Sequence, residues 1–275
     1  MLVVLDGSSF FVSDDRGDVE PDAEADGYFL GDTRHLSAWR LRVNGRPSRL
    51  LTSRVVDYYS ARVFGTLGTA HVGHQPPVSI ERDRFVSGGV HEDITVRNHS
   101  SRPVSIVVEL HYGADFADVF EVRSRAAKRG RVEVETGPSR VVLRYRREAF
   151  RRGTVIRFSA PCAPGADQVR FDLRLEPRER WHTCVDIACA VGEVVHEPGH
   201  RCGAFSRPRP RMPVSLDRWH EEAPALDTDA DPVRHTYRKS LNDLAALRFH
   251  PFAERKWSRP PPGCRGSWRC SAATA

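Results

Sequence analysis

Apolar and polar residues alternate with a two-residue period along most of the chain, and the pattern reads as β from Leu2 to about Val195. Phe10–Ser13, Arg49–Val56, Val78–Val86 and Val90–Arg97 alternate or run apolar. Val104–Tyr112, Arg140–Arg146, Thr154–Phe158 and Val169–Leu175 continue the series, and Thr183–Val191 adds another strand. Gly88-Gly89, Asn98–Pro103, Thr136–Pro138 and Pro161–Gly165 punctuate them with turn-forming residues. Short strands at a spacing of about ten residues predict a mainly β chain, folded as a large antiparallel β-sandwich.

One stretch organises this pattern. Gly27–Gly45 opens on a glycine-bounded turn and passes through Asp32-Thr33-Arg34. It then becomes a strand carried by Leu36, Trp39, Leu41 and Val43. Asn44-Gly45 closes it, a dipeptide suited to a two-residue hairpin turn because both positions tolerate positive φ. Asp32 and Arg34 are expected to bond the backbone or each other in a polar knot at the strand entry, a structural role. Asp93–Asn98, a turn, and Pro103–Glu109 read as a hairpin, with Asn98 starting the turn through its own backbone.

After Ala204 the period changes. Pro208, Pro210 and Pro213 lie in an arginine-rich connector that resists helix and sheet. Asp231-Pro232 then supplies an N-cap and a proline at the first helical position, and Val233, Tyr237, Leu241, Leu244 and Leu247 recur at helical spacing toward Phe249. This helix has an apolar side that must pack somewhere. The divisions expected are a β-sandwich over 1–203, a connector and helical linker over 204–258, and a tail over 259–275.

Composition narrows the function classes. The chain of 275 residues is 40% hydrophobic and 28% charged, as expected of an ordinary globular protein with a sizeable core. Its net charge of +6 invites a nucleic-acid reading. Lys occurs only at Lys128, Lys239 and Lys256, however, and arginine alternates with acids in Glu81–Arg84 and Asp172–Glu176, a pattern read as solvated faces. No basic cluster with a recognition motif appears, so nucleic acid is not expected as a partner. Leu2–Leu5 is too short for a secretory h-region, and no run spans a membrane, so a cytoplasmic location is expected.

Cys162, Cys184, Cys189, Cys202, Cys264 and Cys270 are accordingly expected as reduced thiols. Cys184, Cys189 and Cys202 lie near His182, His196 and His200 in sequence. Their spacing is loose for zinc, and the Thr183–Val191 alternation makes the cysteines small hydrophobes of a strand. No glycine-rich phosphate loop, nucleophile elbow or metal-ligand cluster emerges. No catalytic, metal or cofactor-binding residue is assigned, and no cofactor is expected.

Asp6–Asp18, Gly31–Ser37 and Gly113–Arg123, in that order and at wide spacing, resemble the N-terminal domain of bacterial glycogen-debranching, amylo-α-1,6-glucosidase-like proteins. The resemblance runs from about Leu2 to Ser258. It implies a supersandwich-like β domain placed ahead of a catalytic barrel of paired helices, with a helical linker between them. It also implies that the catalytic acids lie in the barrel and that Asp115 and Asp118 are loop-fixing hydrogen bonders. Asp115 with Asp118, and Glu221 with Glu222, are the acid pairs available for glycoside chemistry, which requires two carboxylates and a raised pKa on one of them.

Past Ser258 the character breaks. Arg259–Ala275 has no acid and no apolar period. Back-translated and read from the last base of the Gly263 codon, Gly263–Ala275 yields Leu-Pro-Trp-Phe-Met-Ala-Leu-Phe-Gly-Arg-Asp-Ser for suitable third bases. That peptide resembles the opening motif of the family's barrel. A frameshift near Ser258–Arg259 is therefore expected, leaving a disordered out-of-frame tail in place of the barrel. The function expected is a non-catalytic supporting domain for α-glucan metabolism, the enzyme activity residing in the absent barrel. A free-standing carbohydrate-binding module is the alternative, with Tyr58, Tyr59, Phe116 and Phe120 as candidate stacking residues for α-glucan.

Overall fold

A computed structural model describes residues 1–21, 23–67, 77–126, 128–200, 216–247 and 255–256. The first half holds β1 (Leu2–Asp6), β2 (Ser9–Ser13), β3 (Gly27–Leu30), β4 (Thr33–Leu36), β5 (Ala38–Val43), β6 (Arg49–Asp57), β7 (Ser60–Leu67), β8 (Val78–Ser87), β9 (Gly89–Asn98) and β10 (Val104–Gly113). The short helix α1 (Val119–Ser124) precedes β11 (Arg131–Gly137), β12 (Arg140–Arg147), β13 (Phe150–Phe158), β14 (Gln168–Leu175), β15 (Arg180–Val191) and β16 (Val194–His196). Helices α2 (Leu216–Glu222) and α3 (Asp231–Ala246) and the two-residue β17 (Arg255–Lys256) complete the order. The chain is mainly β and antiparallel throughout, and every strand named from the alternation is present.

The strands form three sheets. β1-β2-β3-β4 is one, β14-β10-β5 is a second, and β11-β12-β13-β15-β9-β8-β7-β6 is the path of a ten-stranded sheet that β16 and β17 extend beside β15. Side chains of all three join in one apolar core, including Phe11, Tyr28, Trp39, Leu110, Ile80, Ile94, Ile156 and Ile187. The sandwich is thus a large sheet covered by two smaller ones. Period-two alternation divides the large sheet cleanly. In β9, Val90, Ile94 and Val96 enter the shared core, so His91, Asp93 and Thr95 lie on its other face. That outer face has a small apolar cluster of its own, Val142, Val155 and Ala188.

The structure alters several sequence expectations. Gly27–Leu30 is strand, not turn, because Val12–Ser9 pairs with it on one side and β4 on the other. Asp93–Asn98 and Pro103–Glu109 do not form a hairpin. β9 pairs with β8 and β15, whereas β10 pairs with β5 and β14, so the Asn98 turn carries the chain from one sheet to another. Asn98 does start that turn, accepting from the Ser100 amide at 2.9 Å. Asn44-Gly45 behaves as expected, with φ of 51° and 72° and a Val43–Arg46 bridge.

α3 begins at Asp231, one residue earlier than its expected first turn, with Ala230 at the cap position and no side-chain cap bond. Asp231 instead pairs with Arg234 at 2.5 Å. Leu241, Ala245 and Ala246 are buried, and the Gly7 amide donates to the Ala246 carbonyl at 2.9 Å, docking the helix end on β1. Trp219 Nε1 donates to the Leu241 carbonyl at 2.8 Å, tying α2 to α3. Val233, Leu244 and Leu247 remain exposed. Phe249, most of the connector and the tail 259–275 lie outside the described residues. No helix among the described residues is long and apolar enough to cross a membrane.

Candidate functional site

The second and third motifs meet in space. The segment that follows β10 runs beside β4: the Ser37 amide donates to Gly113 O at 2.9 Å, Arg34 N to Ala117 O at 2.8 Å and Val119 N to Asp32 O at 3.1 Å. Arg34, expected to pair with Asp32, turns instead to Asp115. Its Nε lies 3.2 Å from both carboxylate oxygens, and Nη2 adds a further bond to Oδ2. Asp32 is exposed, and its carbonyl rather than its carboxylate is the group used. Asp115 also accepts from the Ala117 amide at 3.2 Å, which fixes the bend at Phe116.

Phe116 sits at φ 54°, a left-handed conformation costly for a bulky side chain, and is fully buried. Its ring meets His35 edge-on at 5.6 Å and Tyr145 at 5.9 Å. Burial also holds His35 neutral, its pKa pushed down to about 3. Asp118 caps α1 by accepting from the Phe120 and Glu121 amides at 2.9 and 2.8 Å, while Glu121 reaches back to the Asp118 amide at 2.9 Å. Those backbone bonds hold the Asp118 carboxyl below its ordinary range. Asp115 and Asp118 are thus loop-fixing hydrogen bonders, as expected. Phe120, on the first turn of α1, is 78% exposed.

The first motif ends in a buried ionic cluster between the sheets. Asp18 receives Arg82 Nη1 at 2.5 Å and Arg42 Nη1 at 2.6 Å. Glu92 receives Arg82 Nε at 2.6 Å, Arg84 Nε at 2.9 Å and Trp39 Nε1 at 2.9 Å. Burial pushes the Glu92 carboxyl up, but the two guanidinium groups outweigh it and hold its pKa at about 2. Glu81–Arg84 is therefore not a solvated face. Arg82 and Arg84 point into the core, Arg84 lying 3.8 Å above the Phe11 ring, and Asp83 on the opposite face is clamped by Arg62 at 2.6 and 3.0 Å. Burial still raises Asp83 to about 6. Asp172–Glu176 is the solvated alternation expected.

Of the expected stacking aromatics, Tyr59 and Phe116 are core residues and Phe120 is the exposed one. Glu221 and Glu222 are exposed on α2, where Glu222 pairs with Arg218 at 2.6 Å.

The histidines and cysteines regroup as well. Five residues apart on one strand, Cys184 and Cys189 face opposite sides of β15. Cys189 joins the shared core, while Cys184 lies opposite Asp93 on the outer face. His182, Cys184, His91 and Asp93 meet there, and Cys202 lies outside the described residues. Burial opposes a proton on His91, yet its hydrogen bonds to Asp186 and Asp93 raise its pKa to about 9. Cys162 and Cys189 are free thiols, but Cys184 is disulfide-bonded, which departs from the uniformly reduced state expected. The sequence could have signalled this group only through strand register, which places Asp93 against Cys184 and His91 against Asp186.

Comparison with known proteins agrees with the motifs. The solved structures similar to this chain include a putative kojibiose phosphorylase from the human microbiome, 14% identical with a TM-score of 0.43 over 78% of this chain, and a polysaccharide lyase, 16% identical with a TM-score of 0.34 over 48%. The chain spans 28% and 21% of those two proteins. No curated protein matches. The family model for the N-terminal domain of some glycogen debranching enzymes matches residues 4–186, a span that contains all three motifs, and the chain belongs to that family.

Proposed function

We propose that this chain is a non-catalytic supporting domain for α-glucan metabolism, built to position a helical glycosidase barrel. The observation that carries the reading is that three acids of the motifs are engaged in structure. Asp18 holds Arg82 and Arg42, Asp115 holds Arg34, and Asp118 caps α1. Glu92, outside the motifs, likewise holds Arg82 and Arg84 in the core. A glycosidase instead keeps two carboxylates on either side of a sugar, one of them with a raised pKa. Val233 and Leu244 on α3 and Leu247 at its C-cap are exposed, which agrees with an apolar neighbour outside this chain. We further propose that the barrel is encoded in the alternative frame that begins within Gly263–Ala275, which sequencing the DNA that follows the Ala275 codon tests.

The decisive assay is release of glucose from a branched limit dextrin by the purified chain. No turnover is expected, and turnover abolished by Asp115→Asn or Asp118→Asn overturns the proposal. The exposed Phe120 favours a second reading, a sugar-binding module. Retention on glycogen with better than millimolar affinity, lost in Phe120→Ala, would support that reading.

A further inference from the structure

We propose that the outer face of the large sheet carries a redox-gated site for a divalent transition metal of the zinc type, with His91 Nε2, Asp93 Oδ1 and Cys184 Sγ as ligands and His182 Nε2 as the fourth. The site is independent of the supporting role proposed above. It arises from strand register. β9 and β15 pair so that Asp93 faces Cys184, His91 faces Asp186 and Thr95 faces His182. Residues two apart on a strand share a face, so His91 and Asp93 project beside His182, Cys184 and Asp186, away from the shared core.

Three groups converge on one oxygen. His91 Nε2 lies 3.3 Å from Asp93 Oδ1, His182 Nε2 3.2 Å and Cys184 Sγ 3.0 Å, and Cys184 Sγ is 3.8 Å from His182 Nε2. The donor atoms of His91, Asp93 and Cys184 all lie within 4.8 Å of one another. Tetrahedral zinc, with bonds of about 2.0–2.3 Å, sets its donors about 3.3–3.8 Å apart, so small shifts suffice to admit the ion. His91, Asp93 and Cys184 are buried, and His182 closes the group from the solvent side at 34% side-chain exposure. His91 Nδ1 donates to Asp186 Oδ1 at 2.6 Å, the outer carboxylate that orients ligating histidines in zinc sites. Two imidazoles, a thiolate and one carboxylate suit zinc or cobalt, whereas magnesium and calcium take oxygen donors.

The gate is the Cys184 disulfide. A dithiol reductant transfers two electrons and two protons to it, breaking the S–S bond to give the Cys184 thiol and its partner's thiol, and is itself oxidised to a disulfide. The metal ion then displaces the Cys184 thiol proton and the His91 Nε2 proton to water and forms the metal–sulfur and metal–nitrogen bonds, while His91 Nδ1 keeps its proton toward Asp186. A small-molecule disulfide reverses the sequence: it takes the two electrons and two protons, is reduced to thiols, and re-forms the Cys184 disulfide with release of the ion.

The test is titration of the full chain with cobalt(II), before and after reduction by a dithiol that is then removed. The reduced chain is expected to bind one equivalent and to show the near-ultraviolet thiolate-to-cobalt band, with zinc displacing the cobalt. The oxidised chain is expected to bind at least tenfold more weakly and to lack the band. Cys184→Ser should abolish the band while Cys162→Ser leaves it intact. His182→Ala, which removes a proposed ligand from a partly exposed position, should weaken binding at least about tenfold. Absence of the band in the reduced chain, its survival in Cys184→Ser, or unchanged affinity in His182→Ala overturns the assignment. Equal affinity before and after reduction overturns the gate.

Discussion

Removing the charge of Glu92 while keeping its shape tests the ionic cluster most directly. Glu92→Gln leaves an acceptor for Trp39 Nε1 but takes from Arg84 the carboxylate at 2.9 Å, while Arg82 keeps Asp18 at 2.5 Å. A buried guanidinium without its counter-ion is strongly unfavourable, and breaking such a pair costs about 3–5 kcal/mol. A second route gives the same size. The carboxyl falls from an ordinary 4.5 to about 2 on folding. At about 1.4 kcal/mol per pH unit, that is about 3 kcal/mol of preference for the ionised form.

Urea unfolding at neutral pH is the assay. With m of about 2–3 kcal/mol per molar, the midpoint of the variant should fall by about 1–2.5 M at unchanged m. The pH dependence supplies an independent check. Because the folded pKa lies below the unfolded one, the stabilisation is complete above about pH 4.5 and lost as pH falls toward about 2. The Glu92 share of the acid limb, between about pH 4.5 and 2, should vanish in the variant. A midpoint within about 0.3 M of the parent, or a slope between about pH 4.5 and 2 as steep as the parent's, would refute the claim that Glu92 neutralises the two arginines.

Other outcomes follow from single residues. Asp118→Ala removes the capping box of α1 and should cost about 1 kcal/mol in urea unfolding without altering the remaining strands by circular dichroism. Gly27→Ala should cost about 2–3 kcal/mol, because its φ is 146° and a Cβ there would meet Leu36 O at 2.5 Å. His35 has a folded pKa of about 3 against an ordinary 6.5, so the unfolded chain takes up a proton that the folded chain refuses. Stability from this group is complete above about pH 6.5 and declines by up to about 1.4 kcal/mol per pH unit toward pH 3, a slope His35→Gln should lessen in urea titrations at several pH values. Leu244→Lys with Leu247→Lys should leave stability unchanged, since both side chains are exposed, while reducing self-association by light scattering.

The local elements were legible because each is specified by neighbours in the chain. Alternation marks strands such as Val104–Gly113 and Gln168–Leu175, and Asn44-Gly45 marks its turn through the φ values it tolerates. The apolar spacing of α3 and the convergence of motif acids on structural bonds were likewise within reach. Pairing was not. Asn98 makes the bonds of a turn whether the next strand returns to the same sheet or crosses to another, so the Asp93–Glu109 hairpin failed on partners rather than on local geometry.

Sequence by itself therefore determined that this is a strand-rich chain with a C-terminal helix, and where turns such as Asn44-Gly45 and Asn98 fall, though not that Gly27–Leu30 is strand. Tertiary structure alone decided that Arg34 meets Asp115, that Arg82 and Arg84 lie inside with Glu92, and that His91, Asp93, His182 and Cys184 share one face. The physical reason is that a two-residue period assigns side chains to two faces without saying what covers either. In a large sheet overlaid by two smaller ones, a polar face can be buried against counter-charges supplied from far along the chain, as Asp18 is for Arg82 across 64 residues.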